Sequence, residues 1–206
     1  MNPKPIKIAI FMSSLKVGAR ERLMLEIGKE INNQGNRVHF VFVGASREIK
    51  ELIEPFPAKT NLLGWTNQAP FLRKINKLKL FLGIWALRDF LKNEKPDVLL
   101  AVSIPPSITI LIAKILANSK TKIIVRQSNV IKLTNVSKYS EIKRRPRDFL
   151  IPFLYREAEA FIAVSEGVKS NLKMLLGNDS NIKVIYNKVL NKKWFWYAII
   201  GLVLNG

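Results

Sequence analysis

The sequence contains no cysteine and a single histidine, His39. Without cysteine the chain can form neither a disulfide nor a thiolate metal site, and it has no cysteine nucleophile. One histidine cannot build a multi-histidine metal site. A Ser-His-Asp triad could use only His39, which lies inside the strand-like run RVHFVFV and is expected to be structural.

Long apolar runs are also missing. No stretch reaches the about 18 to 20 apolar residues that a transmembrane helix needs. The longest candidate, WFWYAIIGLVL at residues 194–204, has about half that length. The opening MNPKPIK leads into a short apolar run that polar residues follow, which is not the form of a signal peptide. We therefore expect a cytoplasmic protein.

Acidic residues are few. The chain has 34 Lys and Arg against 15 Asp and Glu, a net charge of +19. Such a positive field favours nucleic acid, nucleotide phosphates or an acidic membrane surface as partners. The 206 residues suffice for one sizeable domain with a core, and 48% hydrophobic residues indicate a globular protein.

Apolar runs of strand length recur along the chain, and helix-like stretches separate them. Runs that are apolar on both faces and alternate with helices predict a doubly wound, mostly parallel, Rossmann-like α/β sheet. The predicted strands are 6–12, 37–43, 97–102, 122–126, 160–164 and 182–186, with a possible short strand near 61–63. The predicted helices are 21–34, 47–53, 70–92, 105–118, 146–157 and 166–176.

Ligands of such sheets bind beyond the carboxyl ends of the strands. After the first strand, SLKVGARER (residues 14–22) fits either a phosphate-binding loop or a plain turn in which Glu21 faces the helix dipole. Ser165 fits either a helix N-cap or a cleft residue, and Asn187 either a turn residue or a cleft residue. The residues Arg126 and Asn129 are interpreted as site residues rather than as a solvated loop.

Five motifs in order resemble family 4 glycosyltransferases of the GT-B fold. SLKVGARER, followed by a helix and GNRVHFVFV, is similar to the family's first loop and second strand. Four further stretches are similar to later family motifs: KPDVLLAVS (95–103), IIVRQSN (123–129), FLYREAEAFIAVSEGVKSNL (153–172) and IKVIYNKV (182–189). The chain departs from the family in its first loop, where the glycine cluster is reduced to Gly18, and in RQSN, where the family's Glu-Arg is shifted or replaced.

The resemblance implies that residues 1–189 form the N-terminal, acceptor-side domain of a GT-B enzyme. Residues 190–206 are expected to be a linker and the abortive start of a missing donor-binding domain. The implied reaction is retaining transfer of a hexosyl or N-acetylhexosaminyl group from a sugar nucleotide to a lipid-linked or polysaccharide acceptor. The chain would need no cofactor, would show little activity alone, and could have a separate chain as the missing half. The implied substrate-binding candidates are Gly18, Glu21, Arg22, Arg126, Asn129, Ser165, Glu166 and Asn187; catalytic residues are not identified.

The stretch 73–92 mixes basic and apolar side chains. As a helix it fits docking on an anionic bilayer, and it equally fits a core helix with a basic outer face. The membrane interpretation places the protein at the inner face of the cytoplasmic membrane, with Lys74, Lys77, Lys79 and Trp85 as contacts. The alternative function is a non-catalytic basic domain that binds anionic lipid or nucleic acid. Nucleic acid is disfavoured because the basic residues lack exposed stacking aromatics.

Overall fold

The fold is given by a computed structural model, which describes residues 5–12, 18–42, 51, 59–62, 76–131, 146–177 and 181–186. Except between β2 and β3, strands and helices alternate along the described chain, as the sequence predicts. The strands are β1 (Lys7–Met12), β2 (Arg37–Phe42), β3 (Lys59–Leu62), β4 (Val98–Val102), β5 (Lys122–Gln127), β6 (Ala160–Ala163) and β7 (Ile182–Val184). The helices are α1 (Ala19–Asn33), α2 (Asn76–Glu94), α3 (Ile104–Ala117), α4 (Pro146–Tyr155) and α5 (Glu166–Leu176).

The seven strands form one sheet in the order β3-β2-β1-β4-β5-β6-β7. Every neighbouring pair is parallel; Ile8 of β1, for example, is opposite Val38 of β2 on one side and Val98 of β4 on the other. A parallel sheet needs both faces covered, which explains why its strands are apolar on both faces. The prediction of a doubly wound, Rossmann-like sheet is confirmed.

The two faces of the sheet have separate apolar cores. We call them the α1 face and the α3 face. On the α3 face, strand residues such as Leu99, Ile123 and Phe161 pack with residues of α2, α3, α4 and α5. On the α1 face, Ile10, Leu100 and other strand residues form a second cluster, and the helical residues that belong to it within the described part of the chain come from α1.

Residues with positive φ end several helices. Gly35 has φ +83° just after α1, where the sequence predicts a stop, and Gly177 has φ +75° just after α5. Asn118 ends α3 at φ +48°. These residues adopt the left-handed conformation at the lowest steric cost. The first six residues of the helix predicted over 70–92, and all but Glu51 of the one predicted over 47–53, lie outside the described residues.

Candidate functional site

The carboxyl ends of the parallel strands meet at one edge of the sheet. β1 leads to β2 on one side, whereas the neighbouring β4 leads to β5 on the other, so the strand order reverses between β1 and β4. A crevice forms at such a reversal and is the usual ligand site of this architecture. The starts of α1, α3 and α5 lie at this same edge, since each follows a strand directly in the chain.

At the start of α1, a carboxylate meets the helix N-terminus. Gly18 is the N-cap residue, and its backbone N–H donates to Glu21 Oε2 at 3.1 Å. Glu21 is only 6% exposed, while Arg22 is exposed. A negative side chain in the first turn satisfies an unpaired amide and interacts favourably with the helix dipole. Glu21 therefore takes the position where a phosphate loop would hold its anion.

The start of α3 offers few donors. Its first turn contains Pro105 and Pro106, which lack an N–H. The N–H of Ser107 donates to Ser103 O at 3.2 Å, and its Oγ donates to the same oxygen at 2.6 Å. Ser103 itself has φ +75° and ψ 167°, a region that favours glycine, and its N–H donates to Arg126 O at 3.0 Å. The strained residue thus lies at the reversal point, where functional sites often store strain.

Two polar side chains are buried where β5 ends. Arg126 is 2% exposed, and its Nη1 donates to Ser128 Oγ at 2.8 Å. Gln127 is 1% exposed, and its Nε2 donates to the backbone oxygen of the exposed Asn129 at 2.6 Å. Gln127 Oε1 is buried and has no hydrogen-bond partner in the described structure. Sequence reasoning missed Gln127, although a polar residue at the end of an apolar strand is itself a signal.

At the start of α5, Ser165 is the N-cap, and its Oγ accepts a hydrogen bond from Val168 N at 3.3 Å. Glu166 follows as an exposed acidic residue in the first turn. β6 is adjacent to β5, with Ala163 opposite Gln127. The topology therefore brings Ser165 and Glu166 next to the Arg126–Asn129 segment, while Gly18 and Glu21 lie beyond β4. Asn187 falls outside the described residues.

One buried tyrosine, Tyr155, lies beneath this region. It is fully buried at the end of α4, with its ring centroid 5.3 Å from that of Phe161. Burial raises the pKa of Tyr155 well above its usual range, and the nearby Ser107 side chain acts in the opposite direction. Tyr155 forms no hydrogen bond of ordinary geometry within the described chain, which agrees with Ser107 Oγ being directed at Ser103.

The proposed membrane-contact residues are only partly visible. Lys74 lies outside the described residues, and Lys77 and Lys79 lie in α2, where the positions of their side chains are not described. Trp85 is 39% exposed, with the Arg88 guanidinium 4.8 Å from its ring centroid. Phe90, one of the apolar residues of the stretch 73–92, is 5% exposed in the α3-face core. The C-terminal half of α2 is thus a core helix that leaves Trp85 at the surface.

A surface cavity lies at the opposite edge of the sheet. Its lining includes Lys92, Lys95, Lys120 and Lys122, near the amino ends of β4 and β5. Hydroxyl groups in its wall are already paired, since Thr121 Oγ1 donates to Pro96 O at 2.8 Å. The cavity therefore lies at the edge of the sheet opposite to the predicted site.

The described residues contain neither a membrane-spanning helix nor a group of metal-binding side chains. Among them, no helix combines the length and apolar character needed to cross a membrane. Nor do they bring three or more histidine or acidic side chains together in a group that could hold a metal ion.

Comparison with known proteins identifies a family. The model for Glycosyltransferase Family 4 matches residues 21–189. No curated protein sequence matches the chain significantly.

Solved structures show the same fold at low sequence identity. The lipopolysaccharide outer core galactosyltransferase WaaB is 14% identical, with a TM-score of 0.61 over 88% of this chain and 46% of its own. Anabaena HepE, solved in complex with UDP and glucose, is 18% identical, with a TM-score of 0.56 over 88% and 44%. The UDP-N-acetylglucosamine 2-epimerase from Rickettsia bellii is 15% identical, with a TM-score of 0.59 over 96% and 49%. The chain thus spans about half the length of these proteins.

Proposed function

The chain belongs to Glycosyltransferase Family 4, and we propose that it is the acceptor-side half of a retaining glycosyltransferase. In this proposal a hexosyl or N-acetylhexosaminyl group passes from a sugar nucleotide to a lipid-linked or polysaccharide acceptor. Family membership supports the reaction class. The chain's span of about half of the similar structures supports a second half that holds most of the donor.

The observation that carries the assignment to the acceptor side is the chemistry of the three helix starts. Helix N-termini are the usual backbone cradle for a diphosphate. Here Glu21 and Glu166 are negative residues in the first turns of α1 and α5, and two prolines remove donors from α3. Carboxylates at these positions repel a diphosphate but accept hydrogen bonds from hydroxyl groups. The edge therefore suits a hydroxyl-rich glycan better than a nucleotide.

Arg126, Asn129 and Ser165 complete the proposed binding edge. Arg126 is a buried cation whose guanidinium is already held by Ser128, so it positions the loop after β5 and shapes the crevice. Asn129 and Ser165 place an amide and a hydroxyl near it. Stabilising the leaving diphosphate is the largest electrostatic demand of the reaction, and this edge supplies little positive charge for it. We therefore expect little or no transferase activity from this chain alone.

Ligand-observed NMR on the purified chain tests this proposal. Saturation transfer is measured with neutral gluco- and galacto-oligosaccharides and with UDP. We expect signals from the glycans that weaken in Glu21→Gln, and little signal from UDP. A matched control is Glu159→Gln, because Glu159 lies at the opposite edge of the sheet, 3.6 Å from Lys122. If the native chain binds UDP with micromolar affinity and Arg126→Ala abolishes that binding, the carboxyl edge would instead be the donor side.

We further propose that α2 docks on an anionic membrane surface, which would bring a lipid-linked acceptor to the crevice. The net charge of +19 and the exposed Trp85 beside Arg88 support this. Apolar burial and lysine attraction act together in such docking, at about 1 kcal/mol for each basic residue. A variant with Lys74, Lys77 and Lys79 changed to Glu should therefore bind roughly 100-fold more weakly or worse.

Co-sedimentation with phosphatidylcholine–phosphatidylserine vesicles at low and high salt measures this binding. The control variant changes Lys169, Lys173 and Lys183 to Glu, which alters the net charge equally but elsewhere on the surface. Salt-sensitive binding that only the α2 variant loses supports the proposal. An equal loss of vesicle binding in both variants would show a general charge effect rather than docking through α2. The absence of binding in every condition would refute the proposal.

A further inference from the structure

The surface cavity at the amino edge of the sheet has a volume of about 580 Å³. Its wall is built from the last turn of α2, the start of β4, and the segment that runs from the end of α3 into β5. Pockets that bind small molecules typically have volumes of about 300 to 1,000 Å³. The cavity is therefore large enough for a small molecule, and it lies outside the site proposed for the glycan.

The charged residues of the wall are mainly positive. They comprise one acidic residue, Asp97, and four lysines: Lys92, Lys95, Lys120 and Lys122. Asp97 Oδ2 accepts a hydrogen bond from Lys7 N at 2.7 Å, and Lys122 Nζ lies 3.6 Å from Glu159 Oε1. The other three lysines are exposed and form no ion pair within the described part of the chain. The cavity therefore offers three ammonium groups to an anion.

The hydroxyl groups of the wall bond to one another and to the backbone. Thr121 Oγ1 donates to Pro96 O at 2.8 Å, and Ser119 Oγ donates to Thr121 Oγ1 at 2.9 Å. The Thr121 N–H donates to Ser119 Oγ at 3.3 Å. Among the described residues of the wall there is no aromatic side chain. A ligand would therefore meet mainly lysine ammonium groups, and a nucleobase would find no ring on which to stack.

Strained backbone coincides with this cavity. Among the described residues, three that are not glycine have positive φ, and two of these, Lys95 at +43° and Asn118 at +48°, line the cavity. Just after α1 and α5 the left-handed residues are Gly35 and Gly177. Asparagine tolerates this conformation, whereas lysine adopts it at a steric cost that glycine avoids. The chain thus places a lysine side chain at the cavity where glycine would be more stable, and such strain is often found at ligand-binding sites.

The lysines come from separate segments of the chain. Lys92 and Lys95 lie at the end of α2, whereas Lys120 follows α3, and the two helices pack against each other. Cations near the ends of these helices interact favourably with the helix dipoles, but this effect gives no reason for a lysine in the left-handed conformation. Lysine binds phosphate as a point charge. A chain of linked phosphate groups carries several charges and can contact ammonium groups from both segments.

We propose that this cavity binds a small oligophosphate, a chain of linked phosphate groups, through Lys92, Lys95 and Lys120. The site is separate from the carboxyl edge, so it does not depend on the proposed transferase function. Because the phosphate groups supply the recognition, the affinity should increase with the length of the chain, from orthophosphate to pyrophosphate to tripolyphosphate. UDP should bind more weakly than tripolyphosphate, since its phosphate chain is shorter and its base has no stacking partner.

Isothermal titration calorimetry of the full chain with sodium tripolyphosphate tests the proposal. At an ionic strength of about 0.15 M the Debye length is about 8 Å, so the general positive field of the chain is largely screened. We expect tripolyphosphate to bind at a single site per chain. A variant with Lys92, Lys95 and Lys120 changed to Gln should bind it about tenfold more weakly or worse, because each lysine contributes an ion pair.

The matched control changes Lys169, Lys173 and Lys183 to Gln, which removes the same charge from α5 and β7. A loss of affinity in the cavity variant alone supports the proposal. An equal loss in the control would show that tripolyphosphate responds only to the net charge, and the proposal would then be wrong. It would also be wrong if the native chain bound no tripolyphosphate.

The variant Lys95→Gly separates binding from stability. Glycine relieves the left-handed strain, so Tm should rise by about 2 to 4 °C. The affinity for tripolyphosphate should nevertheless fall, because one ammonium group is lost. Unchanged affinity in Lys95→Gly would contradict the proposal.

Acylation of the native chain with an N-hydroxysuccinimide ester needs no variant. Mass spectrometry measures the rate of modification at each lysine with and without tripolyphosphate. We expect several-fold slower acylation at Lys92, Lys95 and Lys120, and unchanged rates at Lys169 and Lys183. Equal slowing at all lysines, or no slowing at the three cavity lysines, would refute the site.

Discussion

At Gly28, α1 lies very close to the side chains of β1 and β2. A Cβ built on Gly28 would lie 2.7 Å from Phe40 Cε1 and 3.2 Å from Ile10 Cδ1. Both neighbours are completely buried, so neither has solvent into which to move. Ordinary van der Waals contacts between carbon atoms are about 3.5 to 4.0 Å. Gly28→Ala therefore forces α1 away from β2 or drives the Phe40 ring off its rotamer.

Two opposing contributions set the magnitude of the change. Replacing a mid-helix glycine with alanine gains about 1 kcal/mol of helix propensity. Overpacking a filled core costs about 1 to 3 kcal/mol and more where nothing can relax. With two rigid, buried neighbours we take the upper end, which leaves a net loss of about 2 kcal/mol. For a chain of this size that loss lowers Tm by roughly 4 to 8 °C.

Gly83 provides the matched control. It lies inside α2, and a Cβ there would meet nothing within 4 Å. Gly83→Ala should therefore raise Tm by about 2 to 4 °C, from propensity alone. Thermal and urea unfolding followed by circular dichroism measure both variants. If Gly28→Ala also raises Tm, the inference that α1 packs closely on β2 at this position is refuted.

A double-mutant cycle adds a mechanistic check. Phe40→Leu removes the ring atoms that the new methyl group would strike. The cost of Gly28→Ala should be markedly smaller in the Phe40→Leu background than in the native one. Additive effects would show that Phe40 is not the obstacle.

Two further predictions concern the polar groups of Tyr155 and Asn171. Because the folded-state pKa of Tyr155 is raised above its unfolded value of 10.0, its contribution to stability is complete below pH 10 and is lost as pH rises above that. In Tyr155→Phe the free energy of unfolding, measured with urea, should fall less steeply with pH above pH 10, by up to about 1.4 kcal/mol per pH unit, and should change little at pH 7. A steeper fall than in the native chain would contradict this prediction. Asn171 Oδ1 accepts from Ile131 N at 2.7 Å, and Asn171 Nδ2 donates to Ile131 O at 3.3 Å. Asn171→Leu should cost about 1 to 3 kcal/mol in urea unfolding, while Asn171→Asp, which keeps the acceptor, should cost less; equal costs would show that the accepted bond contributes little.

The sheet could be predicted from the sequence because its strands are apolar on both faces and short. Short runs of this kind, such as Ile6 to Met12 and Val98 to Val102, predict buried parallel strands rather than other structures. The strand order was not predicted, because alternation with helices and right-handed crossovers leave open at which strand the order reverses.

The candidate site was predictable in location but not in detail. The carboxyl edge of the sheet follows from the fold class, whereas the burial of Gln127 depends on its neighbours across the sheet. The φ of Ser103 depends on how β4 enters α3, which no local pattern encodes. Phe90 shows the same limit, since an apolar helix residue facing the core has the same sequence signal as one facing a bilayer.

The pairing of β1 with β4 has a consequence for synthesis. The backbone N–H of Lys7 is bonded to Asp97 Oδ2, a partner 90 residues later in the chain. At about 5 to 20 residues per second, roughly 5 to 18 s pass between the synthesis of the two. During that interval one edge of the apolar strand β1 has no native partner, and an exposed strand edge readily pairs with other chains. The nascent chain therefore has a window of susceptibility to aggregation that closes only when β4 emerges.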